Sequence, residues 1–273
     1  MGSEATMEAE KVVVIGGGVG PMAGVALHAK IVENTLTDGT DQSHLSVHHY
    51  SCSSGVPDRT AYLLALARGE SPSADPAAGM AAVFQDAARA LRGRPAVGGV
   101  PCNTFHAPAI FDRFAAEAAR RAPGIRIVHM LEETIVLLGA RLGREGRGGG
   151  EAVGVLSTTG TRRSGVYDEL LSRAGYEAIY VPEGEQETLH AAIYDPSWGI
   201  KAVSPVSDRA ARIVADMASR LIGDGASAVL LACTELPLAL PGTDLGGAPL
   251  VDPVLALARA LVREAAPEKL RPL

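Results

Sequence analysis

Short runs of β-branched and apolar residues alternate along the chain with longer Ala-, Leu- and Arg-rich stretches in which apolar positions recur at helical spacing. This alternation predicts βαβ units around parallel sheets. Residues 11–15 are apolar after their opening lysine, as suits a strand covered on both faces. A glycine turn over 16–20 follows, and Pro21 opens a helix that runs to about Asn34, proline being well suited to a first helical position. Further strands are predicted over 45–50, 96–100, 125–130, 153–156, 178–181, 228–231 and 250–251. Helices are predicted after Thr60 and over 76–91, 111–121, 132–142, 164–174, 185–194, 205–223 and 254–264. The Gly- and Arg-rich stretch 143–150 reads as a surface connection.

The pattern repeats. Each half opens with a strand and a small-residue turn (12–20 and 153–161), and each later has a strand that runs straight into a cysteine. The two strand–cysteine segments are Gly98-Gly99-Val100-Pro101-Cys102-Asn103-Thr104 and Val229-Leu230-Leu231-Ala232-Cys233-Thr234-Glu235. The expected fold is therefore α/β, with two Rossmann-like lobes of parallel sheet related by a pseudo-twofold and a site in the cleft between them. Ligands of such sheets bind at the carboxyl ends of strands. The lobes are expected to comprise residues 11–130 plus 244–273 and residues 131–243, after a disordered lead-in over 1–10.

Composition narrows the function. A net charge of −6 argues against a nucleic-acid surface, which needs clustered Lys and Arg. No run of about 20 apolar residues is present, so no membrane span is expected. The acidic opening lacks the apolar core of a secretory signal. Three widely spaced cysteines fit neither a disulfide framework nor a CxxC metal site, which points to a reducing cytoplasm and to no bound metal. Aromatics make up only 4% of the chain, so its core must rest mainly on Ala, Val, Leu and Ile.

Cys102 and Cys233 are the candidates for chemistry. A lone cysteine is most often a small core hydrophobe, and Cys52, with no counterpart in the other half, is read that way or as a wall of the cleft. Two cysteines at matching places in two similar halves can instead face one substrate carbon. Racemisation takes a proton from one face of a carbon and returns one to the other, so it needs two acid/base groups, one ionised and one protonated. Thiols suit this work, because their pKa of about 8.5 falls toward neutrality beside positive helix ends or donors. The polar neighbours Asn103, Thr104, Thr234 and Glu235 could hold a carboxylate and stabilise the enolate-like charge.

These segments resemble the aspartate/glutamate racemase family. The likeness spans about 11–260 and is carried by GGGVGP (16–21), DQSH (41–44), PDRT (57–60), PCNTFH (101–106), EET (132–134), STTGT (157–161), GVY (165–167), Glu185-Gln186, ACTE (232–235) and VDP (251–253). The Cys-Thr-Glu form is similar to the aspartate racemase branch. The resemblance implies a two-base mechanism without pyridoxal phosphate or any other cofactor, a small amino acid as substrate, and commonly a homodimer. It casts Cys102 and Cys233 as the proton donor/acceptor pair, Arg59 as the grip on a carboxylate, and Asn103, Thr104, Thr159 and Thr234 around the head group.

The chain departs from the family in three places. Its glycine turn carries an extra residue, and Tyr50–Gly55 lacks the usual asparagine. Glu187 stands where relatives often have a carboxylate-binding lysine. An acid there disfavours a second carboxylate, so the expected substrate has a neutral or cationic distal group.

Other readings stay open. Gly18-Val19-Gly20-Pro21-Met22-Ala23 fits the GxGxxA dinucleotide fingerprint, although Pro21 alters the turn and no well-placed acid follows. Maleate isomerase-like, arylmalonate decarboxylase-like and hydantoin racemase-like enzymes share the expected fold, and a non-catalytic amino-acid-binding protein would keep the cleft. His106 either tunes the Cys102 thiol or packs in the wall. The histidines His44, His48 and His49 read as structural, Asp58 as an ion-pair partner that aims Arg59, and Trp198 as a lid or an interface residue.

Overall fold

The computed structural model describes residues 10–144 and 148–273. Its elements, in chain order, are β1 (Val12–Gly17), α1 (Pro21–Glu33), β2 (Val47–Ser51), α2 (Arg59–Ala67), α3 (Pro76–Leu91), β3 (Ala96–Gly99), α4 (Pro108–Arg121), β4 (Ile125–Ile127) and α5 (Met130–Arg141). The second half contributes β5 (Ala152–Ser157), α6 (Thr159–Arg163), α7 (Val166–Ala174), β6 (Glu177–Ile179), α8 (Glu183–Tyr194), α9 (Asp208–Gly223) and β7 (Ala228–Ala232). The chain closes with α10 (Leu236–Ala239), β8 (Asp244–Leu245), β9 (Ala248–Val251) and α11 (Pro253–Ala265).

Two sheets organise the molecule. The first has the order β2-β1-β3-β4 and the second β6-β5-β7-β9-β8. All pairings are parallel except β8 with β9. Leaving aside the antiparallel edge strand β8, the two orders repeat, and each cysteine follows the third strand of its sheet. β1 is buried along its whole length, which explains its unbroken apolar run.

Helix starts follow local chemistry. Asp58, Asp75, Thr158, Ser207 and Asp252 each accept a backbone N–H of the helix they precede, and proline stands in the first turn of α1, α3, α4 and α11.

The expected lobe boundary at 244 meets a different arrangement. β8 and β9 lie in the second sheet, β9 paired with β7, whereas α11 packs against α1, α5 and β3. The last stretch of chain therefore serves both lobes, and no single cut assigns it to one. Of the expected lead-in, residues 1–9 lie outside the described residues, and the exposed Glu10 forms an ion pair with Lys269. Among the described residues, no helix is long and apolar enough to cross a membrane.

Candidate active site

The loops after β3 and β7 meet in a small cleft. Cys102 and Cys233 both line it, and each is almost fully buried, 7% and 6% exposed. Arg59, Asn103, Thr104 and Thr234 line the same space. The expected set is thus brought together from α2, the β3–α4 loop and the β7–α10 loop, with two exceptions.

Thr159 does not line the cleft. The segment expected as a turn winds into the short helix α6 with Thr158 as its cap, and it is Thr158 and Thr161 that face the cleft. The backbone N–H of Thr159 instead meets His190 Nδ1 on α8 at 3.4 Å.

Glu187 is exposed on α8 and is likewise absent from the cleft wall. Its neighbour Gln186 is the inward residue, donating to the Ser157 carbonyl at 2.9 Å and accepting from Arg162 at 3.0 Å. One residue along a helix turns the side chain by about 100°, so an inward Gln186 leaves Glu187 to solvent. The inference of a neutral or cationic distal group loses its basis.

Sequence reasoning missed the basic group that is present. Lys201, in the loop after α8, lines the cleft beside Tyr194. Its ammonium lies 5.4 Å from the centroid of the Tyr194 ring and forms an ion pair with Glu235. Burial pulls the lysine pKa down, but the Glu235 carboxylate, Cys233 and Tyr194 together outweigh it and hold the value above the ordinary one. The only available signal was compositional: Lys201 is the one Lys or Arg between Arg173 and Arg209.

The Cys102 loop is held from three sides. Its carbonyl contacts His106 Nδ1 at 2.9 Å, while His106 Nε2 accepts the Met130 N–H at 3.2 Å. With Nε2 as acceptor, Nδ1 carries the proton and the ring is neutral. Burial, helped by His129, lowers the His106 pKa to about 3. Thr104 Oγ1 meets Thr161 Oγ1 across the cleft at 2.9 Å. Tyr167 of α7 donates its hydroxyl proton to Asn103 Oδ1, which leaves the Asn103 Nδ2 donor buried without a partner.

Arg59 is placed by its own loop. Its Nη1 donates to the Pro57 carbonyl at 3.2 Å, and its buried Nε has no hydrogen-bond partner. Burial pulls the guanidinium pKa down, but the adjacent Cys102 side chain, Asp58 and Tyr194 hold it above the ordinary value. Asp58 caps α2, accepting the Ala61 N–H at 2.6 Å, and is not the ion-pair partner expected for Arg59.

On the opposite side, Cys233 Sγ donates to Glu235 Oε2 at 3.1 Å. Burial first and the Glu235 charge second push the Cys233 thiol well above its ordinary pKa, and Lys201 opposes them.

The glycine turn packs closely against the site. A side-chain atom added at Gly20 would collide with Glu235 Oε1, and one at Gly18 with the backbone of Cys52 and Ser53. A phosphate lying against this turn would meet a carboxylate. Trp198 is half-buried beneath Arg209, whose guanidinium carbon lies 3.9 Å from the ring centroid, and it does not line the cleft. Among the described residues, no group of three His, Cys, Asp or Glu side chains is arranged to hold a metal.

Comparison with known proteins agrees with this architecture. The model of the Asp/Glu/Hydantoin racemase family matches residues 17–261. Picrophilus torridus aspartate racemase superposes with a TM-score of 0.71 at 24% identity, covering 96% of each chain. An aspartate racemase homologue from Pyrococcus horikoshii OT3 gives 0.62 at 20% identity, covering 94% of this chain and 99% of the other. Glutamate racemase from Francisella tularensis subsp. tularensis SCHU S4, solved with D-glutamate, gives 0.56 at 15% identity, covering 97% and 84%. At these identities the solved structures speak for the shared fold, and the match over 17–261 speaks for descent: the chain belongs to the Asp/Glu/hydantoin racemase family.

Proposed function

We propose that this protein is a cofactor-independent racemase of a small acidic amino acid, with Cys102 and Cys233 as the two bases. One observation carries the reading: two nearly buried thiols, one from each lobe, line a single small cleft that also contains Arg59 and Lys201. A thiolate on one side takes the α-proton, and the thiol on the other returns a proton to the opposite face. The charge that develops on the substrate carboxylate is met by preorganised donors that need not leave other partners, namely Arg59 Nε–H and Asn103 Nδ2–H. Lys201 adds a second cation, paired with Glu235, and a second carboxylate on the substrate, as in aspartate, would bind there by competing with Glu235 for it.

The test is α-proton exchange in deuterium oxide, followed by NMR without added cofactor, over both enantiomers of aspartate, glutamate, serine and diaminopropionate. Aspartate is expected to exchange fastest. Racemisation is expected to fall at least about 100-fold in Cys102→Ser and in Cys233→Ser, the usual scale of a lost acid/base group. Exchange confined to serine or diaminopropionate would remove the acidic substrate. Amino-acid binding with no exchange at all would make the protein a binding module.

A further inference from the structure

The solvent face of α1 is apolar. Met22, Val25, Ala29 and Val32 are exposed along it at spacings of three, four and three residues, and Glu33 is the one charged residue among the exposed positions of the helix. The opposite face, with Ala23, Leu27 and Ile31, is buried in the protein. A helix that is apolar on both faces has a second surface to meet, and alternation of three and four is the seam along which helices pair.

This seam is not isolated. Among the described residues eight large hydrophobic side chains are exposed, and six of them lie on one continuous surface: Met22, Val25 and Val32 of α1, Leu36 just after it, Val136 of α5 and Leu273 at the end of the chain. The surface is continuous because α11 packs against both α1 and α5, Thr35 pairs with Leu270, and Leu270, Leu273 and Val136 line one groove between α5 and α11. Single apolar residues scattered over a surface mean little, whereas a contiguous patch marks a contact.

Charge is divided between the α1 ridge and this groove. The ridge ends at Glu33, which has no ion-pair partner among the described residues. The groove holds Arg259 and Arg263. Arg263 is matched by Glu133, 2.7 Å away. Arg259 has the neutral Asn34 amide, whose oxygen it meets at 3.0 Å, and it is close enough to Arg141 and Arg263 that, after burial, their repulsion lowers its pKa. The buried Nε of Arg141 has no hydrogen-bond partner. Two cations therefore stand at the groove without a carboxylate among the described residues.

We infer that this face pairs with a second copy of the chain about a twofold axis, the α1 ridge of each protomer seated in the α5–α11 groove of the other and each Glu33 against the partner's Arg141. A twofold contact matches a surface to itself, so whatever one copy offers it must also accept. A face that carries both an apolar ridge and an apolar groove, with an acid on the one and unmatched bases at the other, meets that condition. A different protein would need only one of the two features.

Sedimentation velocity on the full chain tests this without reading racemisation, so the outcome is separable from that of the two-base reading. The parent is expected to sediment as a dimer. Val25→Asp on the ridge and Val136→Asp at the groove are each expected to raise the dimer dissociation constant at least about tenfold. Leu66→Asp, at an exposed apolar residue of α2, which packs on α6 instead, is expected to leave it unchanged. Glu33→Arg and Arg141→Glu should each weaken the dimer, and the double variant should recover it, because the swap restores both contacts related by the axis. Unchanged circular dichroism shows that each variant is folded. A monomeric parent overturns the inference, and so does a dimer that the Val25 and Val136 variants leave intact. A double variant no tighter than the single ones overturns the seating of ridge in groove.

Discussion

Tyr167 illustrates how much of this site depends on a single hydroxyl. By donating to Asn103 Oδ1 it fixes which end of the amide faces the cleft, and so makes an acceptor-free donor available to substrate. In Tyr167→Phe the amide is free to rotate. We expect kcat/KM to fall about tenfold, roughly the 1.4 kcal/mol of one well-made hydrogen bond, with an unchanged circular dichroism spectrum. An unaltered kcat/KM would show that the amide is held by something else. His106 makes a pH-dependent contribution of predictable sign. Its pKa is lowered from 6.5 to about 3, so the unfolded chain binds a proton over that window that the folded chain refuses. Stability is therefore lost as pH falls below 6.5, by up to roughly 2 kcal/mol per histidine by pH 5. His106→Gln should be less stable than the parent at pH 7 but lose less on acidification, as urea titrations at the two pH values will report.

At this scale the sequence was readable where chemistry is contiguous and unreadable where it is not. Cys102, Asn103 and Thr104 form one run, as do Cys233, Thr234 and Glu235, so the cysteine loops could be recognised directly. Lys201 matters through Glu235, a partner 34 residues away, and no local pattern announces that. Glu187 was misplaced because helix register decides everything within one residue: Gln186 packs inward and its neighbour does not.

Among elements, α2 and α6 pack against each other at the cleft. A side-chain atom added at Gly160 of α6 would collide with the Thr60 side chain on α2, and Thr60 lines the cleft. Gly160→Ala should therefore cost about 1–3 kcal/mol through overpacking and reduce turnover by forcing the two walls apart. Adding Thr60→Ala to the same chain should recover most of the stability lost. If it does not, the collision is not the cause. The strands and long helices were legible because burial on one or both sides imposes their periodicity. The short elements α6, α10 and β8 were not, since four or five residues carry too little pattern to separate helix from turn.

Across the molecule, one of the apolar clusters among the described residues spans both sheets. It joins Val13 and Ile15 of β1 to Val153 and Val155 of β5 and Leu230 of β7, with Leu257 and Leu261 of α11 between them. The repetition of the halves foretold two similar lobes, but not that the chain's end would thread both, because that depends on tertiary packing alone. Leu257 is fully buried. Leu257→Ala is expected to cost about 2–5 kcal/mol and to lower the melting of both lobes together in a single calorimetric transition. Two separate transitions would show that the lobes are independent.

That continuous core also constrains how reactants come and go. Swinging the halves apart like a clamshell would wet the part of this core shared by the two sheets, at about 25 cal/mol for each Å² exposed, a cost that favours smaller movements of the segments that carry Arg59 and Lys201. The same movements that admit a reactant would then deliver the positive charges that hold it.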